Sequence, residues 1–256
     1  MTPFLAAVDP ELLLRTLLGL ALMVGTVMLV LRLAGTSFGA QPVIAIGRAV
    51  LQLGAASLVL SGVLSVPWTV VLVLLFMLMM ASTTSGGRLS SLPGGRSAAV
   101  AGICAGGLVA VAGVFGLGMV DMSARNLIAI GGIVIGNAMT ASTLAGRSFR
   151  AQSALRGPEI EAWWSLGAPS TIAFAQVARE AVRDAMVPNL DQTRSTGVVT
   201  LPGAFIGALF GGADPLEAAR FQLVVLGAIM LAQAIAAVVV TRALSRMRAL
   251  PVPAGS

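Results

Sequence analysis

Long apolar runs separated by short polar segments make up most of this chain. The runs are rich in Leu, Ala, Val and Gly and lack period-two alternation, so they predict helices rather than the strands of a β-barrel. A helix needs about 20 apolar residues to cross a bilayer, because unpaired backbone groups are not tolerated in lipid. The pattern predicts an all-α polytopic membrane protein of about seven transmembrane helices, at residues 12–31, 42–64, 68–80, 98–120, 127–144, 198–210 and 221–240.

Two polar segments interrupt this pattern. Residues 82–96, S-T-T-S-G-G-R-L-S-S-L-P-G-G-R, are predicted as a loop between the third and fourth spans. Residues 145–196 hold the densest charge in the chain, and we call them the polar island. The centre of the island reads P-E-I-E-A-W-W-S-L-G-A-P, and we expect it to lie in water, where a soluble partner can bind it. Residues 1–256 are therefore interpreted as a single membrane domain with one docking segment at 145–196.

Composition agrees with a membrane location. The chain is 57% hydrophobic and 10% charged, with a mean hydropathy of +0.95, whereas a soluble domain carries roughly 25% charged residues. All sixteen basic residues are Arg, and the formal net charge is +6. These arginines are scattered at span ends without an aromatic and basic surface. This distribution favours anchoring at the membrane face and argues against a nucleic-acid partner.

The charges also predict the orientation. Asp9 and Glu11 stand where a signal peptide carries positive charge, so the first span is predicted to be retained. The positive-inside rule puts the polar island and the C terminus in the cytoplasm and the N terminus outside, in the inner (plasma) membrane. The arginines predicted to be cytoplasmic are Arg32, Arg88, Arg96, Arg147, Arg150, Arg156, Arg194, Arg242, Arg246 and Arg248.

Several classes of chemistry are disfavoured by the residues present. The chain has no His and no Tyr, and Cys104 is its single Cys, so an embedded zinc protease is close to excluded and no intrachain disulfide can form. No G-x-x-x-x-G-K-[ST] motif occurs, so the chain is not expected to hydrolyse ATP or to act as an enzyme. Met119, Met122 and Met139 offer soft thioethers, and Asp121 and Asp214 offer hard oxygens near the predicted outer mouth, but the pattern assigns no metal site to them.

The centre of the island contains E-A-x-x-x-x-G, formed by Glu161, Ala162 and Gly167. With Glu159, these residue types suit a short helix with an acidic first turn that ends near a glycine. Ala162, Leu166 and Ala168 can offer small apolar contacts to a groove. A solvated surface helix and a docking helix both fit the pattern. The repeat R-E-x-x-R-D at 179–184 is open in the same way, between a solvated face and a second partner contact.

Polar residues inside the predicted spans are candidates for a transport pathway. Arg48 and Gln52 lie on one face of the second span, and Asn137 and Thr140 lie one turn apart in the fifth, with Met139 beside them. Polar groups in spans face the bundle interior or a watery cavity. A hydrogen bond between helices is an equal alternative for each, and the Arg48 side chain can also extend to the membrane surface.

Small residues recur every fourth position in three spans. Gly203, Gly207 and Gly211 form one such series, and Gly102 with Gly106 and Gly132 with Gly136 form two more. This spacing allows close approach of helices, either within the chain or at a dimer seam. Pro202 is predicted to kink or interrupt the sixth span.

Five segments together resemble uncharacterised protein family 0014, the permease subunits of bacterial iron-export ABC transporters. They are G-R-A-V-L-Q-L (47–53), G-N-A-M (136–139), S-L-G-A-P (165–169), R-E-A-V-R-D-A-M-V-P (179–188) and T-G-V-V-T-L-P-G-A-F-I-G (196–207). The resemblance extends over about residues 12–242, in the same order. Glu161, Ala162 and Gly167 also match the E-A-A…G docking signature of ABC importers, with Trp163 replacing the second alanine. The later Leu-Pro pair of that signature is absent, and Arg179-Glu180 stand in that region.

The resemblance implies a membrane subunit that exports iron or a related metal ion by alternating access. Its energy would come from a separate ABC ATPase that uses ATP and magnesium, while this chain binds no cofactor. Two ATPase subunits need two docking helices and the chain offers one, so a permease homodimer in the lipid bilayer is expected. A secondary transporter or channel driven by an ion gradient is the alternative. That class predicts titratable groups within the spans, whereas the carboxylates here lie in loops or in the island.

Overall fold

A computed structural model describes residues 10–36, 38–63 and 67–251, and the regular structure in them is helical. Asp9, and Leu64 at the predicted end of the second span, lie outside the described residues. The helices of the described part are α1 Pro10–Leu33, α2 Gln41–Val63, α3 Pro67–Arg88, α4 Gly95–Gly116, α5 Ala124–Leu155, α6 Gly157–Ser165, α7 Ser170–Ala173, α8 Ala175–Ser195, α9 Gly203–Phe210 and α10 Pro215–Leu244.

The predicted class, an all-α polytopic membrane protein, is confirmed. Within the described residues, five helices are long and apolar enough to cross a membrane: α1, α3, α4, α5 and α10. Helix α2 has 23 residues, about 35 Å, but it carries Arg48 and Gln52 and is not among the five. The number seven therefore depends on α2 and on the region of the predicted sixth span, which differs from a single helix.

The chain divides into two compact units, Met1–Ser65 and Val66–Ser256. In the first unit α1 and α2 pack on each other, and their side chains are mostly exposed. On α1, the Arg15 guanidinium donates to Glu11 one turn earlier, at 2.7 Å. This unit supplies two apolar helices and little core of its own.

In the second unit, α4, α5 and α10 form the core. Gly102 and Gly106 of α4 lie directly on α10, because a Cβ added to them would come within 2.9 Å of the Ala236 carbonyl oxygen and 2.4 Å of the Ala232 carbonyl oxygen. These two glycines pack inside the chain. Among the described residues, none lies within 4 Å of a Cβ added to Gly203, Gly207 or Gly136. The small-residue series of α9 is therefore open.

Helix α3 continues eight residues past the predicted end of the third span, so the predicted loop at 82–96 was wrong in its first half. The hydroxyl groups of this segment find hydrogen-bond partners while their residues remain helical. The Thr83 hydroxyl donates to the Met79 carbonyl oxygen at 3.0 Å, and the buried Ser85 and Thr143 hydroxyls bond each other across α3 and α5 at 3.0 Å. Helix α5 likewise continues to Leu155, which puts the start of the polar island inside a helix.

Helices α5 and α10 run in the same direction. Asn137 of α5 bonds Gln233 of α10, and further along both helices Ser142 and Val240 lie on either side of Gly102. The residues between the two helices must therefore carry the chain back along the full length of the bundle. Helix α8, residues 196–202 and α9 make this return between them. We call these three consecutive segments the broken return passage.

The predicted sixth span at 198–210 is thus corrected. Only Gly203–Phe210 is helical, and eight residues give about 12 Å, less than half of a hydrocarbon core. Helix α8 supplies the rest of the passage, although it was predicted as part of a water-exposed island. It can pack on α5 and α10 because its buried residues recur every fourth position: Val177, Ala181, Ala185 and Asn189.

Candidate functional site

Helix α6 is a short exposed helix at the turn between α5 and the broken return passage. Pro158 stands in its first turn together with Glu159, and Gly167 follows its end with φ 80°. The Gly167 amide donates to the Trp164 carbonyl oxygen at 2.9 Å, and the next amide donates to the Trp163 carbonyl oxygen at 3.0 Å. This pair of bonds is a Schellman motif, which needs the left-handed backbone that glycine adopts freely. The glycine end expected from the sequence is confirmed.

Aromatic packing fixes α6 to the bundle. Ile160 is fully buried on its inner face. The Trp164 ring meets Phe174 edge-on with centroids 5.7 Å apart, and Phe174 in turn contacts Phe149 of α5 at 5.3 Å. Both phenylalanines are fully buried. These close-packed rings connect α6 to α5 and to the start of α8.

Arg156 adds a polar tie at the same corner. Its guanidinium donates to Glu159 of α6 at 3.1 Å and to Glu180 of α8 at 2.6 Å. The Gln176 side-chain amide donates to the same Glu180 oxygen at 2.8 Å. The Arg156 and Glu180 side chains are 33% and 27% exposed, so solvent partly screens this pair. The end of α5, α6 and α8 are joined at one residue.

The outer face of α6 is exposed, with Glu159 at its edge bonded to Arg156. Glu159, Glu161, Ala162 and Trp163 are exposed, Leu166 is 81% exposed, and Ala168 is partly buried. The structure therefore brings the six predicted docking residues into one helix and its cap: Glu159, Glu161, Ala162, Leu166, Gly167 and Ala168. An acidic and apolar surface of this size can enter a groove on a second protein.

A second polar site lies deep in the bundle, where three helices meet. The Asn189 side-chain amide donates to the Gln233 oxygen at 2.7 Å, and the Gln233 amide donates to the Asn137 oxygen at 3.1 Å. The Asn137 amide donates to the Ile133 carbonyl oxygen at 2.8 Å, and the Thr193 hydroxyl donates to Asn189 at 3.3 Å. We call Thr193, Asn189, Gln233 and Asn137 the amide chain. It connects α8, α10 and α5.

The amide chain lies near the middle of the spanning part of α5. Residues 126–146 are the uncharged stretch of that helix, about 32 Å long, and Asn137 is near its centre. Asn189 and Gln233 are buried, while Asn137 is half-buried. Thr140 is exposed one turn away and donates to the Gly136 carbonyl oxygen at 3.1 Å, and Met139 packs on the core. Polar groups at this depth are typical of binding sites in transporters with discontinuous helices.

Charges continue past this depth along α8. Asp191 and Arg194 lie beyond Asn189 toward the break, are 62% and 77% exposed, and face each other at 3.4 Å. Exposed charges at the level of a spanning helix are not compatible with lipid contact. This face of α8 therefore borders water or another polar surface.

The remaining predicted residues lie elsewhere. Arg48 and Gln52 are exposed on α2 of the first unit. Asp214 caps α10 by accepting from the Leu216 amide at 2.8 Å, which is a structural role. Pro202 caps α9, whose open glycines follow it. Among the described residues, no group of three or more His, Cys, Asp or Glu side chains is arranged to hold a metal ion.

Sequence reasoning did not identify Gln233, Asn189 or Thr193. A signal for Gln233 existed, because it is a lone amide in the middle of the last apolar run. Asn189 and Thr193 had no such signal, since they lie in a segment that is polar throughout.

A model of the "Uncharacterised protein family (UPF0014)" matches residues 14–248, nearly the whole chain. The chain belongs to the UPF0014 family. Along 77% of its length this UPF0014 chain is 32% identical to "UPF0014 membrane protein STAR2" of Oryza sativa subsp. japonica, covering 70% of that protein. It is 30% identical to "UPF0014 membrane protein slr1647" of Synechocystis over 88% of the chain and 89% of the relative. No solved structure matches the chain.

A further UPF0014 relative carries a functional name. "Probable iron export permease protein FetB" of Escherichia coli is 29% identical over 70% of the chain and 70% of that protein. The family is thus one of membrane proteins that includes a bacterial permease.

Proposed function

We propose that the chain is the membrane permease subunit of an ATP-driven ABC exporter. A separate ATPase subunit would supply the energy, and iron or a related metal ion would be the cargo. Family membership and the name of the Escherichia coli relative support the permease role and the cargo. The observation that carries the proposal is α6, a short exposed helix that is tied to both α5 and α8.

The docking helix works as a lever in this proposal. An ATPase that closes on ATP and magnesium pushes α6 through Glu161, Leu166 and the neighbouring exposed face. Because Phe174 and Arg156 join α6 to α5 and α8, the push moves both helices together. The far end of α8 bears on the amide chain and on the break before α9. In alternating access, the broken return passage would then change its angle to α10, so that the pathway opens to the other side of the membrane.

The pathway runs along the amide chain in this proposal. Asn137 and Thr140 provide its accessible polar groups on α5, and the Asp191 and Arg194 pair borders it on α8. Arg48, Gln52 and Met139 stay candidates on sequence grounds. No cofactor is assigned to this chain.

We also propose a permease homodimer, since one docking helix per chain calls for two chains per pair of ATPase subunits. The open stripe of Gly203 and Gly207, flanked by Val198, Val199 and Phe210, supports such a seam because these side chains are unpacked within the chain.

The end of the bundle that carries α6 is proposed to be cytoplasmic, in the inner (plasma) membrane. Arginines crowd at this end, whereas the opposite end has three acidic residues beside two arginines, as the positive-inside rule requires. The opposite end holds Asp121, Arg125, Asp214, Glu217 and Arg220.

A carrier driven by an ion gradient is the alternative, and Asp191 on α8 is the carboxylate beside the proposed pathway that such a carrier would use. In the described part of the chain, the buried polar side chains are hydroxyls and amides, and none is titratable near neutral pH. Proton- or ion-coupled carriers rely on carboxylates or histidines inside the membrane.

The test is ATP hydrolysis by the purified chain in lipid, with and without its candidate ATPase, across a panel of metal ions. We expect no ATP hydrolysis by the chain alone and metal-stimulated ATP hydrolysis by the chain together with the ATPase. The Glu161→Ala/Gly167→Ala variant should insert normally but lose this stimulation and transport. The matched control is Glu217→Ala/Gly212→Ala, which changes an exposed glutamate and a left-handed glycine (φ 90°) at the opposite end. Normal stimulation by the α6 variant would refute the docking role.

A further inference from the structure

A cavity of about 610 Å³ opens beside α6. Its polar lining consists of Arg246 and Arg248 from the chain after α10, and of Ser170 and Thr171 at the start of α7. The Trp164 indole forms part of its wall. A space of this volume is in the range that holds small-molecule ligands.

The chain after α10 is built to present these two arginines. Met247 is buried in the same core cluster as Phe174, and Leu250 packs on that cluster. Leu250 also lies against Gly157 at the start of α6, where a Cβ added to the glycine would be 3.6 Å from the leucine side chain. Arg246 and Arg248 flank the buried Met247 and are exposed toward the cavity. The tail is therefore anchored by apolar contacts, and its guanidinium groups are left for another role.

In the part of the chain that the structure describes, neither guanidinium has an ion-pair partner. Among the described residues, the Ser170 and Thr171 hydroxyls likewise make no side-chain hydrogen bond. Two cations and two hydroxyl donors around one space are an anion-binding set. Guanidinium groups bind phosphate oxygens in bidentate geometry, which suits this set better than a simple halide.

We propose that this cavity binds a phosphate group, carried by an anionic phospholipid headgroup or by soluble phosphate. The cavity lies beyond the end of the last apolar helix and is lined by arginines and a Trp ring, the residue types that anchor proteins beside phospholipid headgroups. A bound phosphate would connect the tail to α6 and α7 and hold the docking helix in place. This binding does not depend on the ABC assignment, so it can be tested without a partner ATPase.

The experiment uses Trp164 as a local reporter. The full chain with Trp68→Phe and Trp163→Phe keeps Trp164 as its single Trp, since the sequence has three. It is reconstituted in phosphatidylcholine nanodiscs with increasing brominated phosphatidylglycerol, or with brominated phosphatidylcholine at matched bromine content. We expect phosphatidylglycerol to quench Trp164 at about a tenfold lower mole fraction. In a second arm, nanodiscs of phosphatidylcholine alone are titrated with inorganic phosphate, and the change in Trp164 fluorescence is measured.

Substitutions then locate the site. Arg246→Gln/Arg248→Gln should abolish the stronger quenching of Trp164 by phosphatidylglycerol. Arg246→Lys/Arg248→Lys should retain most of it because the charges remain. Arg88→Gln/Arg147→Gln is the matched control, since these exposed arginines do not line the cavity.

The two arms separate the two sources of phosphate. A lipid preference that is lost only in the Arg246 and Arg248 variant assigns the headgroup. A saturable response to inorganic phosphate with the same dependence, and no lipid preference, assigns soluble phosphate. No response in either arm, or equal loss in the control variant, overturns the proposal. If the glutamine variant fails to insert, Ser170→Ala/Thr171→Val should weaken binding severalfold, and no weakening overturns the proposal as well.

Discussion

Two glutamines of α10 provide a matched test of the amide chain. Gln233 and Gln222 are both 5% exposed on the same helix, three turns apart. Gln233 donates to Asn137 and accepts from Asn189, whereas the buried Gln222 side-chain oxygen has no hydrogen-bond partner within the described residues. Replacing each by Leu removes the same atoms from two different hydrogen-bonding environments.

The expected magnitudes follow from these partners. Gln233→Leu breaks two hydrogen bonds and leaves the buried Asn189 amide without its acceptor. Bonds between membrane helices contribute on average about 0.6 kcal/mol and at most about 1.7 kcal/mol each, and a buried orphan group costs about 1–3 kcal/mol. We expect a loss of about 1–3 kcal/mol in the free energy of unfolding. Gln222→Leu removes an unsatisfied oxygen, so it should be neutral or stabilising.

The assay is reversible unfolding in mixed micelles with increasing sodium dodecyl sulfate, monitored by circular dichroism. A double-mutant cycle with Asn189→Leu completes the measurement, because the pair shares one bond and the two losses should add to more than the loss of the double variant. Equal destabilisation by Gln233→Leu and Gln222→Leu would refute the reasoning, and so would a Gln233→Leu chain as stable as the native one.

Three further tests probe the packing of the second unit, two of them with a control substitution. Gly106→Ala should destabilise the chain by about 1–3 kcal/mol, because its Cβ would come within 2.4 Å of an α10 carbonyl oxygen, while Gly227→Ala, at an open position of α10, should change the unfolding free energy by less than about 0.5 kcal/mol. Phe174→Ala should cost about 3–5 kcal/mol in thermal unfolding, against little for the 59% exposed Phe76→Ala. Arg156→Gln should cost about 1 kcal/mol or less, since solvent screens its ion pairs, yet amide hydrogen exchange should speed up within α6. Unchanged exchange in α6 would contradict the tie we assign to Arg156.

Hydrophobic pattern predicted most of the membrane helices, because a spanning helix leaves a long and simple signal. The limits of α1 and α4 lie within four residues of the predicted ones, whereas α10 begins six residues before and ends four residues after its predicted limits. The errors occurred where polar residues are satisfied inside helices. Ser85 belongs to α3 because its hydroxyl bonds Thr143, which lies 58 residues away, and no local pattern reports such a partner.

The return passage shows the same limit on a larger scale. Helix α8 has the composition of a surface helix, and its burial depends on apolar faces of α5 and α10 that only the fold brings together. The short helix α6 and its glycine end were easier to predict, since Glu161 and Gly167 belong to one local motif. The amide chain joins residues up to 96 apart, so sequence alone identified Asn137 but not its partners.

Helices α8 and α9 of the broken return passage have a consequence for how the second unit is inserted into the membrane. A translocon accepts segments by their hydrophobicity, and a charged residue at a helix centre is disfavoured by about 2.5–3.5 kcal/mol on that scale. The 21 residues of α8 include six charged ones, and α9 has eight residues, so neither piece is accepted alone. Both can enter the bilayer only once α5 and α10 are there to receive them. We therefore expect α8 and α9 to stay outside the bilayer until α10 has been synthesised.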